Sequence, residues 1–183
     1  AMREIYALLD KLAPSELSLV VEGETGTGKE LVARAIHDRS GRSGGPFVVF
    51  DCSAFPQNLL ESELFGHERG AFSGAVRTHR GVFERADGGT LFRDEIGETP
   101  DNVQPVLLRA LETGEIQPVG ARAERKVDVR VIAATDANLE HKVSEARFRM
   151  ALLHRLSVTT IDIPPLRTRR EDIAPLFIHF LRQ

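Results

Sequence analysis

The chain has 183 residues, which is enough for one domain with a sizeable core. Its formal net charge of −3 is too small to indicate nucleic acid as a general partner, so any such contact must be local. The single cysteine, Cys52, excludes an internal disulfide and favours a reducing compartment. No apolar run reaches the roughly 20 residues of a membrane span, and the N-terminus lacks a signal-peptide layout, so we expect a cytoplasmic protein without membrane contact.

The first elements in chain order predict a parallel sheet. Apolar residues recur at helical spacing over Glu4–Leu12, which predicts a helix that ends before Pro14. An apolar run at 17–21 then predicts a strand, and a helical pattern follows from Leu31. A second apolar run, Phe47–Phe50, ends at Asp51. Because the order is strand, helix and strand, we expect the two strands to be parallel.

The stretch VVEGETGTGKE, which joins the first strand to its helix, has the spacing of a phosphate-binding loop. Glycines let successive backbone N–H groups turn onto phosphate oxygens, and Lys29 supplies a mobile positive charge. Glu30 stands where serine or threonine normally contacts Mg²⁺. The alternative is an ordinary glycine-rich turn. The candidate nucleotide-binding residues are Gly23, Glu24, Thr25, Gly26, Thr27, Gly28, Lys29, Glu30 and Leu31.

The stretch GHERGAFSGA, residues 66–75, is too poor in large apolar residues to pack a core. It carries one aromatic residue, Phe72, and one hydroxyl, Ser73, inside a glycine-flanked loop. This composition suits a contact element for another molecule, although it also suits a plain surface loop.

The stretch GGTLFRDE predicts an apolar strand that ends in two carboxylates, Asp94 and Glu95. Behind a phosphate loop, such an aspartate holds Mg²⁺ or its water shell, and the glutamate positions or activates the attacking water. The alternative is an acidic turn without a catalytic role.

The second half of the chain predicts further helices and strands. We expect a helix that is capped near Thr99 or Asp101 and stops at Gly114, and a hairpin over 115–126. The remaining predictions are a strand over Val127–Ala134 ending at Thr135-Asp136, a charged helix over Leu139–Leu156, a strand over Val158–Ile163 broken by Pro164-Pro165, and an amphipathic tail over Glu171–Gln183.

Four stretches together resemble the AAA+ domain of the bacterial enhancer-binding proteins, the activators of sigma-54 RNA polymerase. They are GETGTGKE, LLESELFGHERGAFSGA, GGTLFRDEIGE and the segment from FRMALLHRL to PPLRTRREDI. A glutamate after the loop lysine is usual in that family, so Glu30 supports the resemblance. The resemblance implies an α/β, three-layer P-loop NTPase of AAA+ type with a five-stranded parallel sheet. It also implies an AAA+ core in 1–165 and the start of a largely missing helical lid in 166–183.

The resemblance further implies ATP and Mg²⁺ as ligands and a ring hexamer of the full-length protein, with ATP bound between subunits. Asp94 would hold Mg²⁺ directly or through water. Arg149 and Arg155 match two arginines that reach the neighbour's ATP, and Arg155 is the stronger match to the arginine finger. For either arginine the alternative is a solvated ion pair.

The loop Gly70, Ala71, Phe72, Ser73, Gly74 and Ala75 matches the family's GAFTGA loop, which contacts sigma-54. Ser73 replaces a threonine, so the hydroxyl is kept and a methyl group is lost.

Three positions near the nucleotide depart from the family pattern. Asp51 replaces an asparagine that restrains the catalytic glutamate, Arg93 replaces a leucine, and Asp136 replaces an asparagine that senses the γ-phosphate. Added carboxylates should disfavour the binding of ATP, or disturb the way in which these positions restrain the glutamate and sense the γ-phosphate. Arg93 would lie on a strand covered on both faces, so we expect it to neutralise Asp51, Asp136 or both.

The leading hypothesis is an ATP-hydrolysing activator of sigma-54 polymerase that uses Glu95, Asp94, Arg155, Arg149, Asp51 and Asp136 as its catalytic set. The alternative is a nucleotide-binding but weakly or non-hydrolysing AAA+ regulatory module in a mixed ring. A weaker possibility is that the 70–75 loop serves a target other than sigma-54. We expect DNA contact only through a domain that is not present here, and poor assembly and weak hydrolysis by this fragment alone.

Overall fold

The central sheet consists of five parallel strands. They are β1 (Leu19–Glu22), β2 (Phe47–Asp51), β3 (Thr90–Asp94), β6 (Arg130–Thr135) and β7 (Thr160–Asp162), and a separate antiparallel pair is formed by β4 (Glu115–Ile116) and β5 (Arg125–Lys126). The strand order in the large sheet is β2-β3-β6-β1-β7 in this computed structural model, which describes residues 2–181. The predicted α/β architecture with five parallel strands is therefore confirmed.

Helices cover both faces of this sheet and complete three layers. The helices are α1 (Met2–Leu12), α2 (Lys29–Asp38), α3 (Gln57–Phe65), α4 (Val82–Arg85), α5 (Gln104–Thr113), α6 (Leu139–Ser144), α7 (Met150–Leu156) and α8 (Ile173–Phe180). Residues of α1 and α2 pack on one face, and residues of α3, α4, α5 and α7 pack on the other.

Strand β3 shows how the two faces divide, because successive side chains of a strand point to opposite sides. Leu91 enters the core beneath α3 and α5, whereas Phe92 enters the core beneath α1 and α2. Arg93 therefore lies on the same face as Leu91. Its Cα pairs with those of Phe50 on β2 and Ala133 on β6.

The single helix predicted over Leu139–Leu156 is wrong, because the chain forms two helices there. Ala146 has a φ of 56°, a left-handed conformation that interrupts a right-handed helix. Phe148 then turns into the core, and the Arg149 amide donates to Gln104 Oε1 at 2.8 Å. The burial of Phe148 and the hydrogen bond of the Arg149 amide thus explain why the helix is interrupted here.

The starts of one helix and one strand also differ from the predicted positions. The helix after Pro100 starts at Gln104 rather than at a side-chain cap near Thr99 or Asp101, because the Gln104 side chain donates to the Thr99 carbonyl and to Asp101. Strand β6 starts at Arg130 rather than Val127, whose amide donates to the Gly114 carbonyl at 2.8 Å.

The predicted amphipathic tail begins as α8, whose apolar side chains Ile173, Phe177 and Ile178 are exposed. The last two residues of that prediction, 182 and 183, lie outside the described residues. Over residues 2–181, no helix has the length and apolar character needed to cross a membrane.

Candidate functional site

The glycine-rich stretch forms a loop between the carboxyl end of β1 and the start of α2. Gly28 immediately precedes α2 with a φ of 98°, a left-handed conformation that glycine adopts without strain. A Cβ atom on Gly23 would lie 2.9 Å from the Ile163 carbonyl, so the loop also passes close to the end of β7. The amides of Gly26, Gly28 and Lys29 have no backbone acceptor among residues 2–181. They are free to bind an anion at the positive end of α2.

Lys29 joins this loop to the acidic turn after β3. Its side chain is 6 % exposed, and its Nζ donates to the Gly23 carbonyl at 2.9 Å. The same Nζ lies 3.6 Å from Glu95 Oε1. A buried ammonium thus lies between the phosphate loop and the carboxylate predicted to act on water.

Glu95 has an unusual backbone conformation and a perturbed carboxyl group. Its φ is 50°, and its amide donates to Asp94 Oδ1 at 3.0 Å. A left-handed conformation in a residue other than glycine stores strain, and such residues cluster at functional sites. Burial raises the pKa of Glu95, Lys29 opposes this rise, and the charges of Asp136 and Asp94 add to it.

Asp136 follows β6 and meets the phosphate loop directly. Thr25 Oγ1 donates to Asp136 Oδ2 at 3.1 Å. The strands that carry Glu22, Asp94 and Thr135 end at one edge of the sheet, so the loop, the acidic pair and Asp136 converge there as predicted.

Asp51 lies at the same edge, opposite Asp94 in the β2–β3 register. Its carboxylate does not contact Glu95 in the described structure. Instead, Oδ1 accepts from the Ser53 amide at 2.8 Å and from the Ser53 hydroxyl at 2.7 Å. The aspartate therefore caps the short 3₁₀ turn Cys52–Ala54 that follows β2.

The expectation that Arg93 neutralises Asp51 or Asp136 is wrong. Arg93 is fully buried, and its Nη2 donates to Cys52 Sγ at 3.0 Å and to Thr99 Oγ1 at 3.2 Å. Within residues 2–181, no carboxylate lies within 4.0 Å of this guanidinium, and its Nε and Nη1 have no hydrogen-bond partner. The strand pleat explains the difference, because it directs Arg93 into the apolar core beneath α3 and α5 rather than along the edge.

The two arginines predicted to reach a neighbouring subunit lie on or beside α7. Arg149 immediately precedes the helix, and its side chain is exposed. Arg155 is exposed as well, and its guanidinium donates to the Leu111 carbonyl from Nε at 3.0 Å and from Nη2 at 2.5 Å. Arg155 lines a cavity of about 250 Å³ with Ser18 and Asp128, which precede β1 and β6. Arg155 is thus near the opposite end of the sheet from the phosphate loop of its own chain.

The 70–75 loop projects from the segment that follows α3. The Gly70 amide donates to the Ala75 carbonyl at 2.8 Å, which closes the loop. Phe72 is 37 % exposed and packs edge-on against the His67 ring, with 4.9 Å between centroids. Ser73 is exposed.

Contacts with the β4–β5 hairpin support the base of this loop. The Glu68 amide donates to the Val119 carbonyl at 3.0 Å, and the Arg125 guanidinium donates to Glu68 and Glu84. The hydrogen bond to Glu84 is the largest cause of the raised pKa of Arg125, and the charges of Glu84 and Glu68 raise this pKa further.

A cavity of about 690 Å³ adjoins the phosphate loop on the β1–β7 side. Its wall includes Glu22, Glu140 and Asp162 but not Lys29. Burial raises the pKa of Glu22, and the charges of Asp162 and Glu140 raise it further. An acidic wall repels phosphate, so we assign the phosphate position to the loop amides and Lys29 rather than to this cavity.

The family model described as the sigma-54 interaction domain matches residues 1–162. This chain belongs to the sigma-54 interaction domain family. It is 53 % identical over 182 residues to the transcriptional regulator NtrC of Salmonella typhimurium, covering 100 % of this chain and 39 % of that protein. It is 52 % identical over 180 residues to the Nif-specific regulatory protein of Azospirillum brasilense, covering 98 % of this chain and 29 % of that protein.

A solved structure agrees with the fold of this sigma-54 interaction domain. NtrX from Brucella abortus in complex with ADP superposes with a TM-score of 0.93 at 39 % identity, covering all of this chain and 40 % of that one. NtrX in complex with ATP superposes with a TM-score of 0.90 at the same identity, covering 99 % of this chain and 41 % of that one. The domain thus spans about two fifths of the length of NtrC and of NtrX.

Two arginines that the sequence interpretation did not single out contact the phosphate loop of this sigma-54 interaction domain. Arg167 donates to both carboxylate oxygens of Glu24 at 2.6 and 2.5 Å, and Arg169 donates to the Thr27 carbonyl at 3.0 Å. Their dense positive charge in PPLRTRRED was visible in the sequence. The residues that these arginines contact could not be predicted, because they lie more than a hundred residues earlier in the chain.

Proposed function

We propose that this domain binds ATP at residues 23–31 and hydrolyses it, and that it couples hydrolysis to remodelling of sigma-54 RNA polymerase. The observation that carries the proposal is the convergence of Lys29, Glu95 and Asp136 at one edge of the sheet, with Lys29 Nζ 3.6 Å from Glu95 and Thr25 joined to Asp136. Free amides, a buried ammonium and a carboxylate with a raised pKa are the groups that phosphoryl transfer to water requires.

Each group has a distinct role in the proposed reaction. The amides of the loop and the Lys29 ammonium hold the phosphates and oppose their charge. Glu95 orients a water molecule and accepts its proton as the oxygen bonds to the outer phosphorus, while the bond from that phosphorus to the bridging oxygen breaks and ADP leaves. A raised pKa makes the Glu95 carboxylate a better proton acceptor.

The donor set at this edge also fits Mg²⁺. Among residues 2–181, no three acidic, histidine or cysteine side chains form a ready-made metal site. Asp94 and Glu95 supply carboxylates at the end of β3, and Mg²⁺ commonly uses one or two carboxylates together with substrate phosphates and water. Asp94 would hold it, directly or through water, and the bound cation would offset charge on the phosphate oxygens.

Phosphate release by the full-length protein tests hydrolysis. Glu95→Gln should lower turnover by at least about 100-fold while ATP still binds, because only the proton acceptor is lost. Glu98→Gln is a matched control, since Glu98 lies in the same turn but is exposed and pairs with Lys142. Equal turnover in the Glu95→Gln and Glu98→Gln variants contradicts the proposed role of Glu95.

A second function, nucleotide binding with little or no hydrolysis in a mixed ring, is favoured by two specific observations. The Asp51 carboxylate is occupied by Ser53, and Asp136 places a negative charge on the phosphate loop. Under this alternative, wild-type protein binds ATP without turnover, and the combined change Asp51→Asn and Asp136→Asn restores turnover. Robust turnover by the wild type excludes it.

We further propose that the 70–75 loop contacts sigma-54 through Phe72 and Ser73. The exposure of both side chains and the support of the loop by the β4–β5 hairpin favour a presented contact element. A pull-down with sigma-54 in the presence of a transition-state analogue should lose binding for Phe72→Ala and weaken for Ser73→Ala. Val76→Ala is the matched control, because Val76 is 79 % exposed just outside the loop. Unchanged binding of all three variants shows that sigma-54 binds another surface of the domain, whereas wild-type protein that fails to bind sigma-54 points to a different target for the loop.

The active form in this proposal is a ring hexamer of the full-length protein in the cytoplasm. Arg155, with Arg149 beside it, acts on the neighbour's ATP, which the distance of Arg155 from its own phosphate loop supports. Residues 1–165 form the nucleotide-binding core, and residues from 166 onward start the lid.

A further inference from the structure

The segment that follows β7 passes directly beneath the phosphate loop. It contains two short 3₁₀ turns, Leu166–Thr168 and Arg170–Asp172, and we call it the 166–172 segment. The Ile163 amide donates to the Glu22 carbonyl at 2.8 Å, so the approach of this segment is set by the β1–β7 pairing. Two of its arginines then contact the loop, at Glu24 and at Thr27.

Arg169 makes the deeper of these contacts. Its side chain is 7 % exposed, its Nη2 donates to the Thr27 carbonyl at 3.0 Å, and its Nη1 lies 3.9 Å from Asp172 Oδ2. Its Nε has no partner among residues 2–181. A guanidinium is always charged, so an incompletely satisfied one is costly to bury. A contribution to stability alone does not account for its position.

The geometry of the peptide bond gives this contact a consequence at the nucleotide site. In a trans peptide the carbonyl of Thr27 and the amide of Gly28 point in opposite directions. Gly28, with a φ of 98°, lies in a conformation from which a glycine readily rotates. Arg169 holds the Thr27 carbonyl towards the 166–172 segment. The Gly28 amide, which has no backbone acceptor in the described chain, therefore faces away from that segment.

We propose that Arg169 is a positioning residue that sets the phosphate loop for nucleotide binding by fixing the Thr27–Gly28 peptide. It acts through the loop backbone and does not itself contact ATP. This inference rests on the proposed ATP site. The Lys29 amide in the first turn of α2 also has no backbone acceptor among residues 2–181, so it and the Gly28 amide oriented by Arg169 can donate to a single anion.

Arg167 provides a second and weaker anchor on the same loop. It donates to both carboxylate oxygens of Glu24, and this hydrogen bond lowers the pKa of Glu24. Both side chains are more than half exposed, so solvent screens the pair. We therefore assign the larger effect to the buried Arg169.

Equilibrium binding of ATP, ADP and adenosine to the full-length protein tests the proposal. Arg169→Ala should weaken ATP and ADP by about tenfold or more, since a hydrogen bond to a charged group is lost from the structure that holds phosphate. Adenosine has no phosphate, so its affinity should not change. Arg169→Lys should recover part of the loss, because an ammonium can still donate to the Thr27 carbonyl. Arg170→Ala is the matched control, since Arg170 is an exposed neighbour in the same segment.

A kinetic readout separates positioning from general loss of structure. For Arg169→Ala, KM for ATP should rise by more than kcat falls, whereas misfolded protein loses kcat in proportion to the inactive fraction. The proposal is overturned if Arg169→Ala binds ATP as tightly as Arg170→Ala, or if adenosine weakens as much as ATP.

Hydrogen exchange on nucleotide-free protein keeps this test independent of the proposed function. The Thr27 amide donates to the Glu24 carbonyl at 3.2 Å, and it should exchange faster in Arg169→Ala than in Arg170→Ala, with an intermediate rate in Arg169→Lys. If wild-type protein fails to bind ATP, the proposed function is wrong, but the exchange of the Thr27 amide still tests the positioning role of Arg169. Unchanged exchange in both Arg169 variants overturns the positioning role.

Discussion

The Lys29 ammonium lies 3.6 Å from the Glu95 carboxylate, yet its hydrogen bond goes to the Gly23 carbonyl. One cation therefore stabilises both the loop backbone and the acidic turn. Glu95 stays under the influence of three charges: Lys29 lowers its pKa, whereas Asp136 and Asp94 raise it after the larger effect of burial.

Asp136→Asn should lower the pKa of Glu95, because it removes one of the negative charges that raise this pKa. The Glu95 carboxylate then stays ionised to a lower pH. For any activity that needs this carboxylate, the acidic limb of the pH–activity profile should also shift to lower pH. A carbon-13 NMR titration of glutamate carboxyl groups in nucleotide-free protein measures the shift. Asp162→Asn is the control, since Asp162 acts on Glu22 rather than Glu95. An unchanged or higher Glu95 pKa contradicts the prediction.

Arg93→Leu should raise the free energy of unfolding by about 1–3 kcal/mol, because it removes a buried guanidinium in which two nitrogens have no hydrogen-bond partner among residues 2–181. Urea denaturation measures this change. The same substitution should be additive with Asp51→Asn, whose carboxylate Arg93 does not contact, and non-additive with Cys52→Ala, which removes one of its two acceptors. Destabilisation by Arg93→Leu, relieved by Asp51→Asn, is the outcome that would reinstate a link between Arg93 and that aspartate.

Mixing two inactive variants should restore ATP hydrolysis if Arg155 acts across a subunit interface. Lys29→Ala subunits cannot hold phosphate but still present Arg155, whereas Arg155→Ala subunits hold phosphate but lack the finger. Some interfaces in a mixed ring then combine an intact loop with an intact arginine. Phosphate release from the mixture, compared with each variant alone, measures this.

Arg147→Ala is the control for the mixing experiment, since Arg147 is exposed and pairs with Glu145. It should be active without a partner variant. A mixture that stays inactive, although both variants assemble, assigns Arg155 a role within its own chain, such as its contact with the Leu111 carbonyl.

Gly120→Ala should disturb the 70–75 loop without touching the nucleotide site. Gly120 has a φ of 80°, and a Cβ atom there would lie 2.8 Å from the Ala71 Cβ, so either the hairpin or the loop must move. We expect weaker binding of sigma-54 and a loss of stability of about 1 kcal/mol, with ATP affinity unchanged. Gly44→Ala is the control, because nothing lies within 4 Å of a Cβ added there. Normal sigma-54 binding by Gly120→Ala shows that the hairpin contact does not set the loop.

The parallel sheet, the phosphate loop and the acidic pair after β3 could all be predicted from the sequence. Each of these is encoded locally, by the spacing of glycines around Lys29 or by an apolar run that ends in carboxylates, so neighbouring residues suffice to identify it. The convergence of Asp94 and Asp136 also followed, because parallel strands end at a common edge.

The partners of the charged side chains could not be predicted, because they depend on how distant segments pack. The pleat of β3 directs Arg93 to Cys52 and Thr99, the burial of Phe148 breaks a predicted helix, and the path of the chain after β7 brings Arg169 to Thr27. Long side chains can reach many acceptors, and the choice depends on which face of an element they occupy and on what distant segment packs there. That information arises only when the whole chain has folded.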